Sequence, residues 1–293
     1  MGVTFPNEST EYRAARNKLL QREVALRREM EAVAAEIRAL PQGGAVREDY
    51  EFDHIDAKGM PAKVRLSELF RPATDTLIIY HYMFPRHRSD KRRGPSGGPI
   101  AQLPLEEGPC PSCTALLDNW EGAVPHVEGL GANLAAVAKA PIERVAAFAA
   151  YRGWRNLKLI SAANNSFKRD YHGEDDEGQQ VPILTVFHKR ADGVIRLSWA
   201  SELLFMPTEP KQDPRHLGTV EPMWTLLDLL PEGGRTRTSR SNTNVVEPRC
   251  RRIIGKHKAT LKLHASKQPL CRNLRRPGSD SQHSEKDASH GNG

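Results

Sequence analysis

The sequence predicts an α/β domain: a central mixed β-sheet flanked by helices, preceded by a long helix and followed by a disordered tail. Three observations predict it. Apolar, β-branched runs alternate with segments of helical period from residue 50 to residue 230. A C-x-x-C pair, Cys110 and Cys113, opens one of those helical segments directly downstream of the most apolar run, Thr76-Leu-Ile-Ile-Tyr-His-Tyr-Met-Phe84. Hydrophobic periodicity then stops at Arg235.

Residues 8–41 read as one amphipathic helix. Tyr12, Ala15, Leu19, Leu26, Met30, Val33, Ile37 and Leu40 recur at steps of three, four or seven, and Pro41 with Gly43-Gly44 ends the run. Such a stripe packs on its own domain, which is the plainer reading, or pairs with a second copy as a short coiled coil, a reading that Arg22 at the seam weakens.

The main domain spans residues 46–232. Tyr50–His54 and Ala62–Leu66 alternate around a turn-rich Asp56–Pro61 and predict a hairpin; Ser67-Glu-Leu-Phe70 resembles a helix start with a capping serine. Thr76–Phe84 is apolar throughout, as for a strand buried on both faces. Residues 85–109 are basic and rich in proline and glycine, and predict an exposed, disordered loop inserted before the cysteines. A helix follows over about 111–120, then a small-residue strand Ala132–Ala138. A helix opened by Pro141 runs to about Arg152. Next come a strand Leu157–Ile160, a helical turn over Asn164–Tyr171 and an acidic loop Gly173–Gly178. Val181–Phe187 and Val194–Trp199 form a hairpin about Ala191-Asp-Gly193. A last helix begins at Asp213-Pro214 and stops at Pro231.

The 293-residue chain carries 43 Lys and Arg against 36 Asp and Glu, a net +7. That excess belongs to the tail, residues 235–293, with 14 basic and 4 acidic residues; the rest has 29 against 32. The body therefore gives no electrostatic reason to expect nucleic-acid binding, and the tail supports only non-specific contact. Few aliphatic or aromatic residues stand in the tail, too few to offset a chain entropy of ~1–2 kcal/mol per residue. No apolar run approaches a membrane span, and the first residues lack the basic and apolar regions of a secretory leader, so a cytoplasmic protein is expected.

Two thiols three residues apart at a helix start suit dithiol–disulfide chemistry. The first sulfur meets unpaired backbone N–H groups and the positive end of the helix dipole, both of which favour the thiolate. The second lies one turn on. Zinc is the alternative, but it needs two further ligands; Cys250 and Cys271 stand in the tail at the wrong spacing, and a strand histidine such as His81 is more often simply packed. Neither a metal nor a cofactor is expected.

The order of elements resembles the thioredoxin fold, and residues 11–234 look like the bacterial DUF899 family, thioredoxin-like proteins of undefined function. The matching stretches are Tyr12-Arg-Ala-Ala-Arg16, Ala39-Leu-Pro41, Val64-Arg-Leu-Ser-Glu-Leu-Phe70, Tyr80-His-Tyr-Met-Phe84, Cys110-Pro-Ser-Cys113, Ala138-Lys-Ala-Pro-Ile-Glu143, Arg152-Gly-Trp154, Phe167-Lys-Arg-Asp-Tyr-His172 and Asp213-Pro-Arg-His-Leu217. The resemblance implies that Cys110 attacks and Cys113 resolves, with Pro111 restraining the helix start. It also implies that Pro182 is a cis-proline facing the pair, leaving the backbone of Val181 free for a protein or small-molecule thiol or disulfide substrate. The register of proline and Ser/Thr before a peroxidatic cysteine is not met by Gly108-Pro-Cys-Pro-Ser-Cys113, which ranks peroxidase activity below disulfide exchange. Asp170, Tyr171 and His172 read as a helix-end cluster rather than a catalytic set. The function expected is thiol–disulfide oxidoreduction. Its rival is a non-catalytic scaffold that keeps the fold and forms a homodimer through the N-terminal helix.

Overall fold

The computed structural model describes residues 3–210, 215 and 217–230, all within one compact unit. The tail from Arg235, its Cys250 and Cys271, and Asp213-Pro214 at the expected start of the last helix lie outside the described residues. Seven strands form one sheet: β1 (Glu51–Ile55), β2 (Pro61–Arg65), β3 (Thr76–His81), β4 (Ala132–Ala138), β5 (Lys158–Ser161), β6 (Leu184–Lys189) and β7 (Ile195–Ala200). Their order is β2-β1-β5-β4-β3-β6-β7. The pairs β3–β4 and β4–β5 are parallel; β1–β2, β1–β5, β3–β6 and β6–β7 are antiparallel. A strand leading into the cysteine helix, a parallel neighbour on one side and an antiparallel hairpin on the other is the thioredoxin-like arrangement.

The sheet separates two cores. Alternation along β3 sends Leu77 and Ile79 to one face and Tyr80 to the other. The first face stacks Tyr50, Phe52, Leu66, Phe70, Ile160, Phe167 and Phe187. Against the second pack α2 (Pro111–Glu121), α3 (Val124–Gly129) and α4 (Ile142–Arg152), through Leu116, Leu117, Trp120, Val124, Val145 and Phe148. The alanines Ala136 and Ala138 of β4 keep this face low where the helices approach. Trp120 and Trp154 are buried in this second core, and Trp199 packs against it. Two further short helices are α5 (Phe167–Asp170) and α6 (Pro222–Asp228).

Several local expectations change. Ser67 does not cap the turn Leu66–Leu69; its N–H and hydroxyl both donate to the Asp49 carboxylate, at 2.8 and 2.7 Å. β3 ends at His81 rather than Phe84, and α3 was not read from the sequence. The helix α1 (Thr10–Ala39), capped by Ser9 accepting from the Tyr12 N–H at 3.0 Å, has no buried residue. Residues 85–109 are not simply exposed. Ile100 enters the second core at 4% exposure, Arg86 is 3% exposed, and Gly97 and Gly98 lie flat against the Tyr151 ring of α4. Gly98 has φ +77°, and a Cβ there would stand 2.6 Å from that ring, so both backbone and space demand glycine.

Candidate active site

Cys110 is the N-cap residue of α2 and Pro111 its first helical residue. A proline there fixes a helical φ and gives up an N–H that has no partner in the first turn. The Cys110 N–H donates to the Met83 carbonyl at 2.9 Å, which ties the helix start to the chain leaving β3. One turn on, the Thr114 hydroxyl donates to the Cys110 carbonyl at 2.9 Å and lies 3.0 Å from the Tyr82 hydroxyl. Cys110 and Cys113 are both free thiols and both buried, at 0 and 2% exposure.

The two sulfurs are neighbours with opposite protonation tendencies. The Cys113 thiol donates to the Cys110 sulfur, and together with the Arg92 guanidinium this outweighs burial and holds Cys110 down at about 7. Cys113 moves well above the usual thiol range, first because it is buried and then because it faces the Cys110 sulfur. The Tyr80 hydroxyl contacts Cys113 from the sheet. One thiol is thus poised as nucleophile while its partner keeps its proton.

Arg92 comes from the segment expected to be loose. Its Nη2 lies 3.5 Å from the Cys110 sulfur, its Nη1 donates to the Ser112 hydroxyl at 2.6 Å, and its Nε and Nη2 clasp Asp90 at 2.8 and 2.7 Å. Arg86 fastens the same segment, donating to the carbonyls of Pro109 at 2.7 Å and Arg92 at 2.6 Å. The basic residues there do not face solvent as a group: Arg92 lies against Cys110, and Arg86 is buried and holds the segment in place.

A second cation lies behind the pair. Lys168 is fully buried and donates from Nζ to the Tyr82 carbonyl at 2.9 Å; burial lowers it to about 7, while a thiolate at Cys113 pulls it back up. Its neighbour His81 is a packed histidine, stacked on Phe167 with centroids 5.3 Å apart and 3.3 Å from the Thr185 hydroxyl. Gly173 sits so close to that ring that a Cβ would fall 2.0 Å from Nδ1. Asp170 accepts from the Tyr50 hydroxyl at 2.8 Å and the Ser166 hydroxyl at 2.6 Å, and Tyr171 packs on the first core; the pair supports the fold on the face away from α2.

Val181 and Pro182 do not have the implied form. Among the described residues the cis peptide bond is Phe84–Pro85, and Val181–Pro182 is trans. The Val181 N–H is already spent on the Gly173 carbonyl at 3.1 Å. The turn that carries Gly173 thereby occupies the backbone that a substrate strand would have used. The residues brought together are therefore Cys110, Pro111 and Cys113, joined by Arg92 and Lys168, which sequence reasoning missed. Among the described residues no three His, Cys, Asp or Glu side chains form a metal cluster, and no helix is long and apolar enough to cross a membrane.

A family model described as "Bacterial protein of unknown function (DUF899)" matches residues 3–249. No curated protein matches the chain. Similar solved structures include Prx3 from Vibrio vulnificus, reduced and in complex with H2O2, at 13% identity and TM-score 0.36, covering 59% of this chain and 91% of that one. AhpC from Enterococcus faecalis shows 13% identity and TM-score 0.38, over 67% of this chain and 96% of that one. A hypothetical protein from Sinorhizobium meliloti shows 15% identity and TM-score 0.34, over 66% and 86%. Likeness at these values assigns no activity to this chain.

Proposed function

The chain belongs to the DUF899 family of bacterial proteins of unknown function, so its chemistry must be read from its own side chains, and from them we propose that it is a thiol–disulfide oxidoreductase. The observation that supports this most is the division of labour between two adjacent free thiols, Cys110 lowered to about 7 and Cys113 raised. The Cys110 thiolate attacks a substrate disulfide, forming a Cys110–substrate disulfide and releasing one substrate thiolate. Cys113 then passes its proton to the released substrate thiolate and attacks the Cys110 sulfur, closing the Cys110–Cys113 disulfide and releasing the second thiolate. An external thiol reductant resets the pair. The buried Lys168 ammonium favours the Cys113 thiolate during the second step.

Both sulfurs are covered in the resting form, so turnover includes displacement of the segment that carries Arg92. The substrate is a thiol or disulfide compound, and the setting a reducing cytoplasm in which the pair rests as dithiol.

The test is alkylation with iodoacetamide across a pH series, read by mass spectrometry, beside reduction of a small aromatic disulfide. Cys110 should label first with a midpoint near pH 7, and Cys110→Ser should abolish disulfide reduction. Cys113→Ser should accumulate the mixed disulfide. Two thiols that stay unreactive at alkaline pH and form no internal disulfide under oxidant would defeat the proposal.

A further inference from the structure

Helix α1 runs for 30 residues with none of them buried. Tyr12, Leu19, Leu26 and Val33 step by seven along it, Leu40 continues the step at its C-cap, and Met30 and Ile37 fall between the last three; all seven are 38 to 59% exposed. A helix owes most of its stability to packing its apolar face, and a continuous exposed stripe marks a surface with a partner. The alternating three- and four-residue steps form a coiled-coil seam, the pattern by which one helix fits another.

We propose that the partner is α1 of a second copy of this chain, lying antiparallel. Charge decides both the occupant and the direction. In the first half of the helix the seam positions are held by Arg16 and Glu23, which pair with each other along the helix at 2.9 Å. A parallel dimer would set Arg16 on its own copy, Glu23 on its own copy, and Arg22 beside Arg27. An antiparallel dimer about the helix midpoint sets Tyr12 opposite Ile37 and Leu19 opposite Met30 of the second copy. Arg16 then faces Val33, Glu23 faces Leu26, and the exposed Arg22 flanks Glu29 of the second copy, once on each side of the midpoint of the symmetric pair. The two domains sit at opposite ends of a rod of roughly 45 Å. This interface is independent of the thiol chemistry.

Sedimentation equilibrium of the full chain through the micromolar range tests it. The chain should be a dimer, and Leu19→Asp should make it monomeric. Arg22→Glu should weaken the dimer by about tenfold, because two opposite-charge contacts become like-charge contacts, and Arg22→Glu with Glu29→Arg should restore it. Both charge variants lie on an exposed face, and unchanged far-ultraviolet circular dichroism and an unchanged Cys110 labelling midpoint verify their folding. A monomeric parent chain overturns the proposal, whether or not α1 then sediments with vesicles of phosphatidylglycerol and phosphatidylcholine. So does a dimer that Arg22→Glu tightens, which means parallel helices, or one that Leu19→Asp leaves intact, which puts the interface elsewhere.

Discussion

Arg92 does two things to Cys110: its charge favours the thiolate, and its side chain blocks the approach. Arg92→Gln separates them. The labelling midpoint of Cys110 should climb from about 7 toward an ordinary thiol value of about 8.5, while the limiting rate at high pH rises because the cover is looser. An iodoacetamide pH profile reads both effects, and a midpoint that stays put would mean that Arg92 only covers. The cysteine pair and Pro111 were legible in the sequence, because their spacing and the helix start are local. Arg92 was not. A basic, proline-rich stretch reads as solvated, and only the path of the chain brings its guanidinium onto a sulfur 18 residues away in sequence. Lys168 was equally hidden: nothing in Phe167-Lys-Arg-Asp170 distinguishes the one cation that burial places on the Tyr82 carbonyl.

Among the elements, strands were the most legible. β3 and β4 are continuous apolar runs because both of their faces are covered, and the β1–β2 hairpin alternates around Asp56, whose carboxylate accepts from the N–H groups of Lys58 and Met60 at 2.8 Å. The helix α3 escaped because six residues with a proline at their start carry too little periodicity. The segment 85–109 was misread for a different reason. Its apolar residues are few and confined to its second half, yet Ile100, with Leu103 beside it, anchors it in the second core. Ile100→Ala should therefore release the segment without unfolding the domain. Cys110 labelling at fixed pH should accelerate several-fold with its midpoint unmoved, since local opening becomes cheaper while Arg92 stays near the thiol whenever the segment is closed. An unchanged rate would show that the polar contacts of Arg86 and Arg92 hold the segment by themselves.

At the scale of the whole molecule, a buried carboxyl sets a dependence of stability on pH. Glu221 at the start of α6 is 3% exposed, and burial raises it to about 7. The folded chain keeps this proton at pH values where the unfolded chain, at about 4.3, has lost it. The contribution of this group to stability is thus highest below the unfolded value, falls as pH rises toward 7, and changes no further above that. Glu221→Gln should flatten this slope and stabilise the protein at neutral pH by on the order of 1–3 kcal/mol, as read by urea denaturation at several pH values. An unchanged slope would assign the pH dependence to other groups. The overall fold was legible because strand and helix periods agree with their places in the layers. The partner of α1 was not, since its stripe reads identically whether its own domain or a second copy covers it.

The two faces of the sheet also differ in what light they give back. The indoles whose side chains are described, Trp120, Trp154 and Trp199, all belong to the layer on which α2 rests, whereas the opposite layer holds phenylalanines and the tyrosines Tyr50 and Tyr171. Emission from these three indoles, excited at the red edge of protein absorbance, therefore watches the sulfur-bearing half of the described molecule.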